Sequence, residues 1–129
     1  MFELTLTTEF AAAHAIRMGG SREPLHGHNW RVEAVIAGPD LDGDGLLVDF
    51  HLVEETLREI VAPFHNRNLN EVSPFDDVNP TAELVAKHIA DRLAERLEGA
   101  AEHGVRVARV SVTEAPGCRA AYFPPPPAG

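Results

Sequence analysis

The sequence is short of cysteine, of positive charge and of long apolar runs, and each shortage argues against one class of protein. Cys118 is the only cysteine, so the chain cannot form an internal disulfide and nothing indicates an oxidising compartment. Lysine and arginine total 11 against 20 aspartates and glutamates, a formal net charge of −9, which would repel the phosphates of a nucleic acid. No apolar run reaches the length of about 18 residues that a membrane span requires, and no signal peptide is evident. We therefore expect a cytoplasmic protein that binds neither nucleic acid nor a membrane.

The composition is typical of a folded domain, with histidine as the feature left to explain. The chain has 129 residues, of which 44% are hydrophobic and 24% charged, enough to bury one core without disulfides. We expect residues 1–123 to form a single domain. Residues 124–129 should form a tail, because the run Pro124–Pro127 cannot join a sheet ladder. Seven histidines are not accounted for by this description.

Alternating apolar residues predict two long strands near the start of the chain. Residues 2–14 and residues 26–38 both alternate, with the even-numbered positions apolar, which is the period of a half-buried strand. The stretch between them contains Gly19-Gly20-Ser21 and Pro24 and is typical of a loop. Consecutive strands joined in this way most simply pair antiparallel.

Two amphipathic helices and two shorter strands follow. Asp49 can cap a helix that extends to Phe64, and Asn79 with Pro80 can start a second helix that ends near Gly99. Further strands are predicted at residues 105–114 and 120–123. The order ββααββ predicts an α+β fold, an antiparallel sheet with both helices on one face. Such a sheet has open edges, so we expect a homo-oligomer.

Three histidines share the even parity of the two long strands. His14 ends the first strand, while His26 and His28 open the second. In a hairpin these positions meet at one end of the sheet, and His26 and His28 lie about 6.5–7 Å apart along the strand. Three imidazoles with an open fourth position are typical of a catalytic zinc site. Copper, nickel or iron would also suit imidazole, and the alternative is three separate histidines bonded to nearby backbone.

A second metal motif is weaker. Residues 40–45 begin like a calcium-binding EF-hand loop, but position 12 of that loop would be His51 in place of a bidentate glutamate. We interpret these aspartates as building solvated turns.

Taken together and in order, six motifs give the chain a family resemblance from about residue 2 to residue 123. They are Phe10-Ala11-Ala12-Ala13-His14, Leu25-His26-Gly27-His28-Asn29-Trp30, Val48-Asp49-Phe50, Leu69-Asn70, Pro80-Thr81-Ala82-Glu83 and Val112-Thr113-Glu114. The set resembles the 6-pyruvoyl-tetrahydropterin synthase / 6-carboxytetrahydropterin synthase family. The resemblance implies the tunnelling fold (T-fold), in which subunits pool their strands into a barrel, commonly a hexamer made of two trimers.

The same resemblance implies roles for the site residues. His14, His26 and His28 would bind zinc, and the substrate would be a pterin. Glu114 would match the carboxylate that accepts the paired N–H groups of the pterin ring, and Thr81 and Glu83 would help to line the pocket. Without the resemblance these three residues have simpler interpretations: a first-turn helix threonine, a Glu83–Lys87 pair and a strand-end charge.

The loop before His26 departs from the family pattern. Family synthases usually carry a catalytic cysteine there, whereas residues 18–25 contain none, and Cys118 lies in another segment. Glu23 resembles a variant subgroup in which glutamate takes the place of the cysteine. That subgroup is linked to cleavage of the dihydroneopterin side chain to 6-hydroxymethyl-dihydropterin. The alternative is that Glu23 is a solvated loop charge.

The second departure concerns an Asp-His pair expected before Leu69-Asn70. Here His65 stands at the position of the aspartate and Asn66 at that of the histidine. Asparagine cannot move a proton at neutral pH, whereas His65 can titrate near neutrality. The resemblance, with these two departures, implies Glu23 and His65 as candidate catalytic residues of a zinc-dependent lyase acting on 7,8-dihydroneopterin or its triphosphate. A pterin-binding protein without turnover and an oligomer with structural zinc are the alternatives.

Overall fold

The fold is carried by one five-stranded sheet. The computed structural model describes residues 1–98 and 104–126. The strands of this sheet are β1 (Phe2–His14), β4 (His26–Gly38), β5 (Arg67–Asn68), β6 (Arg106–Ala115) and β7 (Cys118–Tyr122). Their order across the sheet is β5-β1-β4-β6-β7. A separate two-stranded ribbon pairs β2 (Arg17–Met18) with β3 (Ser21–Arg22). The helices are α1 (Phe50–Val61) and α2 (Ala82–Leu97), with 3-10 turns at Ala62–Phe64 and Leu69–Glu71. The predicted α+β class, with two helices and an antiparallel sheet, is confirmed. No helix in these ranges is long and apolar enough to cross a membrane.

The central pair of the sheet is antiparallel, as predicted. Strands β1 and β4 run antiparallel from the pair Phe2–Gly38 to the pair His14–His26. Even-numbered residues of both strands point toward the helices, as predicted. Trp30 is fully buried, its ring is parallel to that of Phe10 with centroids 5.7 Å apart, and its indole N–H donates to the Ala12 carbonyl at 3.1 Å.

The helices cover the same face of the sheet. Five residues on their inner faces are fully buried or nearly so: Val53, Leu57, Val85, Ile89 and Leu93. Helix α1 packs mainly on β1, and α2 packs on β6 and β7. Burial of each such side chain stabilises the fold by about 1.5–3 kcal/mol. This packing places the start of α2 beside the ends of β1 and β6.

The predicted start of α2 is wrong by two residues. Thr81 is the N-cap, and its hydroxyl accepts the Leu84 N–H at 3.1 Å. Asn79 instead pairs with the backbone of Arg17, accepting its N–H and donating to its carbonyl, both at 2.9 Å. Helix α1 has the predicted cap, since the Asp49 carboxylate accepts the His51 N–H at 2.9 Å.

The end of α1 also differs from the expectation. Helix α1 stops at Val61 because Pro63 cannot donate a helical hydrogen bond, and Phe64 lies in a 3-10 turn. The predicted end of the second helix near Gly99 lies outside the described residues. Of the predicted tail, residues 124–126 follow β7 outside the sheet, and residues 127–129 are not described.

The loop between the long strands contains the ribbon β2–β3, which the sequence patterns did not predict. It turns through Gly19 and Gly20, whose φ angles of 56° and 84° suit the tight two-residue hairpin that glycine favours. The acidic loop forms turns, as predicted: the Asp42 carboxylate accepts the N–H groups of Asp44 at 2.8 Å and Leu46 at 3.0 Å.

One further histidine, His88 of α2, makes the stability of the fold depend on pH. Its ring lies between those of Phe64 and Phe75, with centroids 5.6 and 5.5 Å away. Burial lowers the pKa of His88, Arg92 adds to the lowering, and the carboxylates of Asp91 and Glu95 oppose it. The unfolded chain therefore binds this proton more readily, so stability is lost as the pH falls below about 6.5.

We expect His88→Gln to reduce this acid sensitivity. The fall in thermal unfolding temperature between about pH 7.5 and pH 5.5 should be smaller in the variant than in the wild type. His51→Gln, an exposed change on α1, is the matched control and should keep the wild-type fall. An equal fall in all three proteins would show that His88 does not contribute.

Candidate metal centre

Three imidazoles converge at the end of the sheet where β1 finishes and β4 begins. His14 and His26 are direct partners in the register, and His28 lies opposite Ala12. The ring centroid of His26 is 4.7 Å from those of His14 and His28, and the latter two are 5.4 Å apart. Trp30 forms the floor of this cluster, with its ring edge-on to His14 at 4.8 Å. The predicted convergence is therefore present.

Glu114 completes the cluster from the end of β6. Its Oε1 lies 2.8 Å from Nε2 of His14, 3.1 Å from Nε2 of His28 and 3.8 Å from Nε2 of His26. Ligand atoms of these four side chains all lie within 4.8 Å of one another. A metal ion is therefore within reach of all four.

Backbone carbonyls orient two of the rings. Nδ1 of His14 donates to the buried Pro80 carbonyl at 2.8 Å, and Nδ1 of His26 donates to the Pro24 carbonyl at 2.9 Å. Because a carbonyl can only accept, Nδ1 of each ring is the donor in these bonds, and Nε2 faces the cluster. A hydrogen bond of this kind on the far nitrogen is the usual support of a metal-binding histidine.

The surroundings of the third ring lower its pKa. Burial lowers the pKa of His28, and this effect exceeds the opposing one of the Glu114 carboxylate. Its Nε2 is buried without a hydrogen-bond partner, because the contact with Glu114 lacks hydrogen-bond geometry. A buried nitrogen lone pair without a partner is costly unless a cation or a donor faces it.

These observations fit a divalent metal. The imidazole lone pairs and a carboxylate oxygen face one another at 2.8–3.8 Å, and such acceptors repel unless a positive charge lies between them. Nitrogen and oxygen donors of this number suit zinc. The residues that could hold it are His14, His26 and His28, with Glu114 beside them.

Glu23 lies next to this cluster, on the segment that follows β3. Its backbone N–H donates to the Ile16 carbonyl, and its carboxylate accepts the Ile16 N–H, both at 3.1 Å. Its Oε1 is 3.7 Å from Nε2 of His26. The loop itself is held by Asn70, which exchanges two hydrogen bonds with the backbone of Ala15. Glu23 thus lies within ion-pair distance of His26 at the edge of the cluster.

His65 and Asn66 have other partners. Nδ1 of His65 accepts the Ala11 N–H at 3.2 Å, and His65 is not among the four clustered side chains. Asn66 has a φ angle of +58°, and its N–H donates to the Ala11 carbonyl at 2.6 Å. Asparagine tolerates this left-handed backbone better than most residues do, so its presence at position 66 has a conformational reason. Asn66 and His28 do share the lining of a cavity of about 550 Å³.

Thr81 and Glu83 lie at the start of α2. Thr81 caps α2, and Glu83 lines a cavity of about 370 Å³ together with Glu114. The alternative interpretation of Glu83 as the partner of Lys87 is wrong, because Lys87 pairs with Asp91 at 2.8 Å. A cavity of this size falls in the range of small-molecule sites.

Sequence patterns did not connect Cys118 and Arg119 with this site. Both line the cavity shared by Glu83 and Glu114, because β7 folds back on β6 immediately after the turn that follows Ala115. The segment predicted as a strand began at residue 120, so the pairing that brings Cys118 next to Glu114 was not evident. Its thiol is exposed.

Comparison with known proteins gives one consistent result. The family model described as 6-pyruvoyl tetrahydropterin synthase matches residues 3–125. A putative 6-carboxy-5,6,7,8-tetrahydropterin synthase from Archaeoglobus fulgidus is 34% identical over 109 residues, which is 84% of each chain. A dihydroneopterin monophosphate aldolase from Pyrococcus furiosus is 32% identical over 105 residues, 81% of this chain and 82% of the relative.

Solved structures support the same fold. The 6-pyruvoyl tetrahydropterin synthase of Caenorhabditis elegans aligns with a TM-score of 0.81 at 18% identity and covers 96% of both chains. A Plasmodium vivax synthase in which a catalytic residue, a glutamate, is replaced by alanine aligns with a TM-score of 0.73 at 23% identity, over 94% of this chain and 96% of that one.

We expect the purified protein to contain about one divalent ion per chain, as a site with three histidines does. His28→Ala should lose most of it, whereas His65→Ala, which removes an imidazole outside the cluster, should keep it. Elemental analysis of the three proteins makes this comparison. A metal-free wild type, or full metal content in His28→Ala, would disprove the site.

Proposed function

We propose a function from one premise: the chain belongs to the 6-pyruvoyl tetrahydropterin synthase family. On this premise the protein is a zinc-dependent lyase that acts on the side chain of 7,8-dihydroneopterin or one of its phosphates, by an aldolase-like cleavage to 6-hydroxymethyl-dihydropterin. The observation that carries the proposal is the position of Glu23, whose carboxylate lies 3.7 Å from Nε2 of His26. Residues 1–123 would form the single domain that holds this activity.

The cavity beside Glu114 is the proposed pterin pocket. The Glu114 carboxylate offers two acceptors, which suit the adjacent N–H donors of the pterin ring. Glu83 lines the same cavity, and Thr81 begins the helix turn from which Glu83 projects. In this orientation the pterin side chain would extend from Glu114 toward the three imidazoles.

The proposed reaction breaks the bond between C1′ and C2′ of the substrate side chain. The 2′-hydroxyl loses its proton and becomes the carbonyl of the released glycolaldehyde, while C1′ receives a proton and stays on the ring as hydroxymethyl. A zinc ion held by His14, His26 and His28 would supply Lewis-acid polarisation of the side-chain hydroxyls. Glu23 would accept the 2′-hydroxyl proton and return a proton to C1′, and the Ile16 N–H keeps its carboxylate in place.

Two observations favour cleavage over the synthase reaction. The segment from residue 18 to residue 25 has no cysteine, and Cys118 lies on β7 and lines the cavity beside Glu114. A relative with 32% identity is an aldolase acting on dihydroneopterin monophosphate. In this proposal Glu23 replaces the cysteine that this segment lacks, and it acts as an acid and a base.

Asn66 favours a second candidate function, that of a pterin-binding protein without turnover. Asn66 cannot carry a proton, and His65 contacts Ala11 and not the cluster. His65 stays in the proposal as a second proton-transfer residue, which would act if Glu23 does not.

The proposal includes a homo-oligomer, a hexamer made of two trimers, located in the cytoplasm. In the described sheet β5 and β7 are the edge strands, and pairing or covering of these edges by other copies would remove exposed backbone donors and acceptors. The single cysteine supports the location.

The direct test is incubation of the metal-loaded protein with dihydroneopterin, its monophosphate and its triphosphate, followed by identification of products by mass spectrometry. We expect 6-hydroxymethyl-dihydropterin from at least one of them. Binding of all three without any product would select the non-catalytic candidate.

We expect Glu23→Gln to lower turnover by about 10²–10⁴-fold, the usual effect of losing a positioned acid or base, and to keep the metal. The change preserves size and hydrogen bonding and removes only the ionisable group. Glu55→Gln, an exposed change on α1, is the control and should leave turnover unchanged. Full activity of Glu23→Gln would exclude Glu23 and point to His65.

We expect the protein to sediment as a trimer or a hexamer, because closure of a ring leaves few unpaired strand edges. Analytical ultracentrifugation at micromolar concentration measures this. A monomer under those conditions would contradict the assembly.

A further inference from the structure

We propose that Arg17 and Arg22 of the β2–β3 ribbon form a phosphate-binding site beside the metal centre, and that they hold a phosphate at the end of the substrate side chain. The inference rests on the proposed function and deepens it, because it selects the phosphates of dihydroneopterin over the free compound. The ligand group is a phosphate monoester, which is close to a dianion at neutral pH and which two guanidinium groups can share.

The two arginines face each other across the ribbon. Arg17 and Arg22 are direct partners in its antiparallel register. The next pair is a hydrogen-bonded one, because the Glu23 N–H donates to the Ile16 carbonyl at 3.1 Å. The two kinds of pair alternate along an antiparallel ribbon, so Arg17 and Arg22 form a non-hydrogen-bonded pair, whose Cα atoms lie about 4.5 Å apart. Both side chains therefore leave the same face of the ribbon and can reach one anion.

This placement is unfavourable unless an anion is present, because like charges directly opposite each other destabilise a ribbon. The chain has 20 acidic residues against 11 basic ones, so carboxylate partners are plentiful. Arg58, Arg92 and Arg109 each contact one of them. Neither Arg17 nor Arg22 makes an ion pair with any residue in the described part of the chain. No carboxylate there neutralises the positive charge of the pair.

Backbone contacts hold the pair in place. The Asn79 amide accepts the Arg17 N–H and donates to the Arg17 carbonyl, and Nη2 of Arg17 donates to the Asp77 carbonyl at 3.2 Å. A guanidinium offers several N–H donors in a fixed fork, and this one contact leaves the others for a ligand. The Arg22 side chain is exposed and has no hydrogen bond to the described residues. Both arginines can therefore donate to a phosphate without leaving another partner.

The ribbon adjoins the metal centre. Arg17 follows His14 by three residues, and Glu23 comes directly after Arg22. Oε1 of Glu23 lies 3.7 Å from Nε2 of His26. In a dihydroneopterin phosphate the phosphate is carried by C3′, next to the C2′ hydroxyl whose proton Glu23 would accept. This phosphate would therefore lie close to the residues that adjoin Glu23, where the arginine pair is found.

The other end of the proposed substrate has the opposite requirement. The pterin pocket is lined by Glu83 and Glu114, whose carboxylates suit the N–H donors of the ring and repel a phosphate. Arg119 lines the same cavity and is the rival to the ribbon pair. Two carboxylates share the cavity with Arg119, whereas Arg17 and Arg22 have each other, so the positive charge is greater at the ribbon.

The first experiment measures the binding of neopterin, its monophosphate, its triphosphate and inorganic phosphate to the metal-loaded protein, by isothermal titration calorimetry. These oxidised pterins replace the dihydro substrates as probes. We expect the wild type to bind the monophosphate more tightly than neopterin. Arg22→Gln should weaken monophosphate binding by about 10-fold, the effect of losing one charge-assisted hydrogen bond, and should bind neopterin like the wild type. Arg22→Lys should keep part of the preference, because it keeps the charge and loses the fork.

Two further variants make the comparison specific. Arg58→Gln is the matched control, since it removes one positive charge from an exposed site on α1 and should keep the preference for the monophosphate. Arg119→Gln tests the rival arginine and should also keep it. Equal wild-type affinities for neopterin and both of its phosphates would overturn the inference, as would a preference lost in Arg119→Gln and kept in Arg22→Gln. If Arg22→Gln weakens the binding of inorganic phosphate alone, the pair binds a free anion, and its role toward the substrate is overturned.

The second experiment measures thermal unfolding in phosphate-free buffer, after circular dichroism has verified that each variant is folded. Arg22→Gln should raise the unfolding temperature, because it removes the like-charge pair. The variant should also lose most of the stabilisation that neopterin monophosphate gives the wild type. A lower unfolding temperature of Arg22→Gln without ligand would show that Arg22 supports the ribbon itself and would overturn the inference.

These results are independent of turnover. A monophosphate preference that Arg22→Gln loses, together with no product from any dihydroneopterin, would support the phosphate site and remove the lyase function. Product formation from free dihydroneopterin, by a wild type that binds neopterin and its phosphates equally, would do the reverse.

Discussion

The register between β1 and β4 is the constraint on which the rest of the site depends. His14 and His26 are direct partners in it, and His28 follows on the same face. A slip of one residue would turn the side chains of one strand to the opposite face, which would separate the imidazoles and expose Trp30. The buried stacking of Phe10 on Trp30 and the hydrogen bond from Trp30 to Ala12 oppose such a slip. The same packing that stabilises the core thus positions the ligands.

Residues distant in sequence from the β1–β4 hairpin complete the site. The Pro80 carbonyl, 66 residues from His14, fixes the orientation of that ring, and Glu114, 100 residues away, meets its other nitrogen. The start of α2 and the end of β6 reach this point because the helices pack on the even face of the sheet. Asn70 and Asn79 bind the backbone of Ala15 and Arg17, which holds the loop that carries Glu23. The site therefore forms only when the whole domain has folded.

Much of this could be predicted from sequence because period-2 alternation is strong in strands of 13 residues. Parity alone placed His14, His26 and His28 on one face. The ribbon β2–β3 and strand β5 were missed because two-residue strands have no periodicity to detect. The cap of α2 was misplaced because Asn79 and Thr81 are both good caps, and only the tertiary bond of Asn79 to Arg17 decides between them. The convergence of Glu114 on the imidazoles depends on a bulge, which a pattern of alternation does not predict.

The two carboxylates of the site differ in how firmly the backbone holds them. Glu23 exchanges two hydrogen bonds with Ile16, so its carboxylate keeps one position beside His26, as proton transfer requires. Glu114 projects from a bulge, and among the described residues its carboxylate contacts the three imidazoles. Asn66 has a positive φ, so the presence of asparagine at this position has a conformational reason and does not by itself argue against the proposed lyase activity. The proposed lyase function therefore depends on a glutamate that the backbone of its own loop holds beside the three imidazoles.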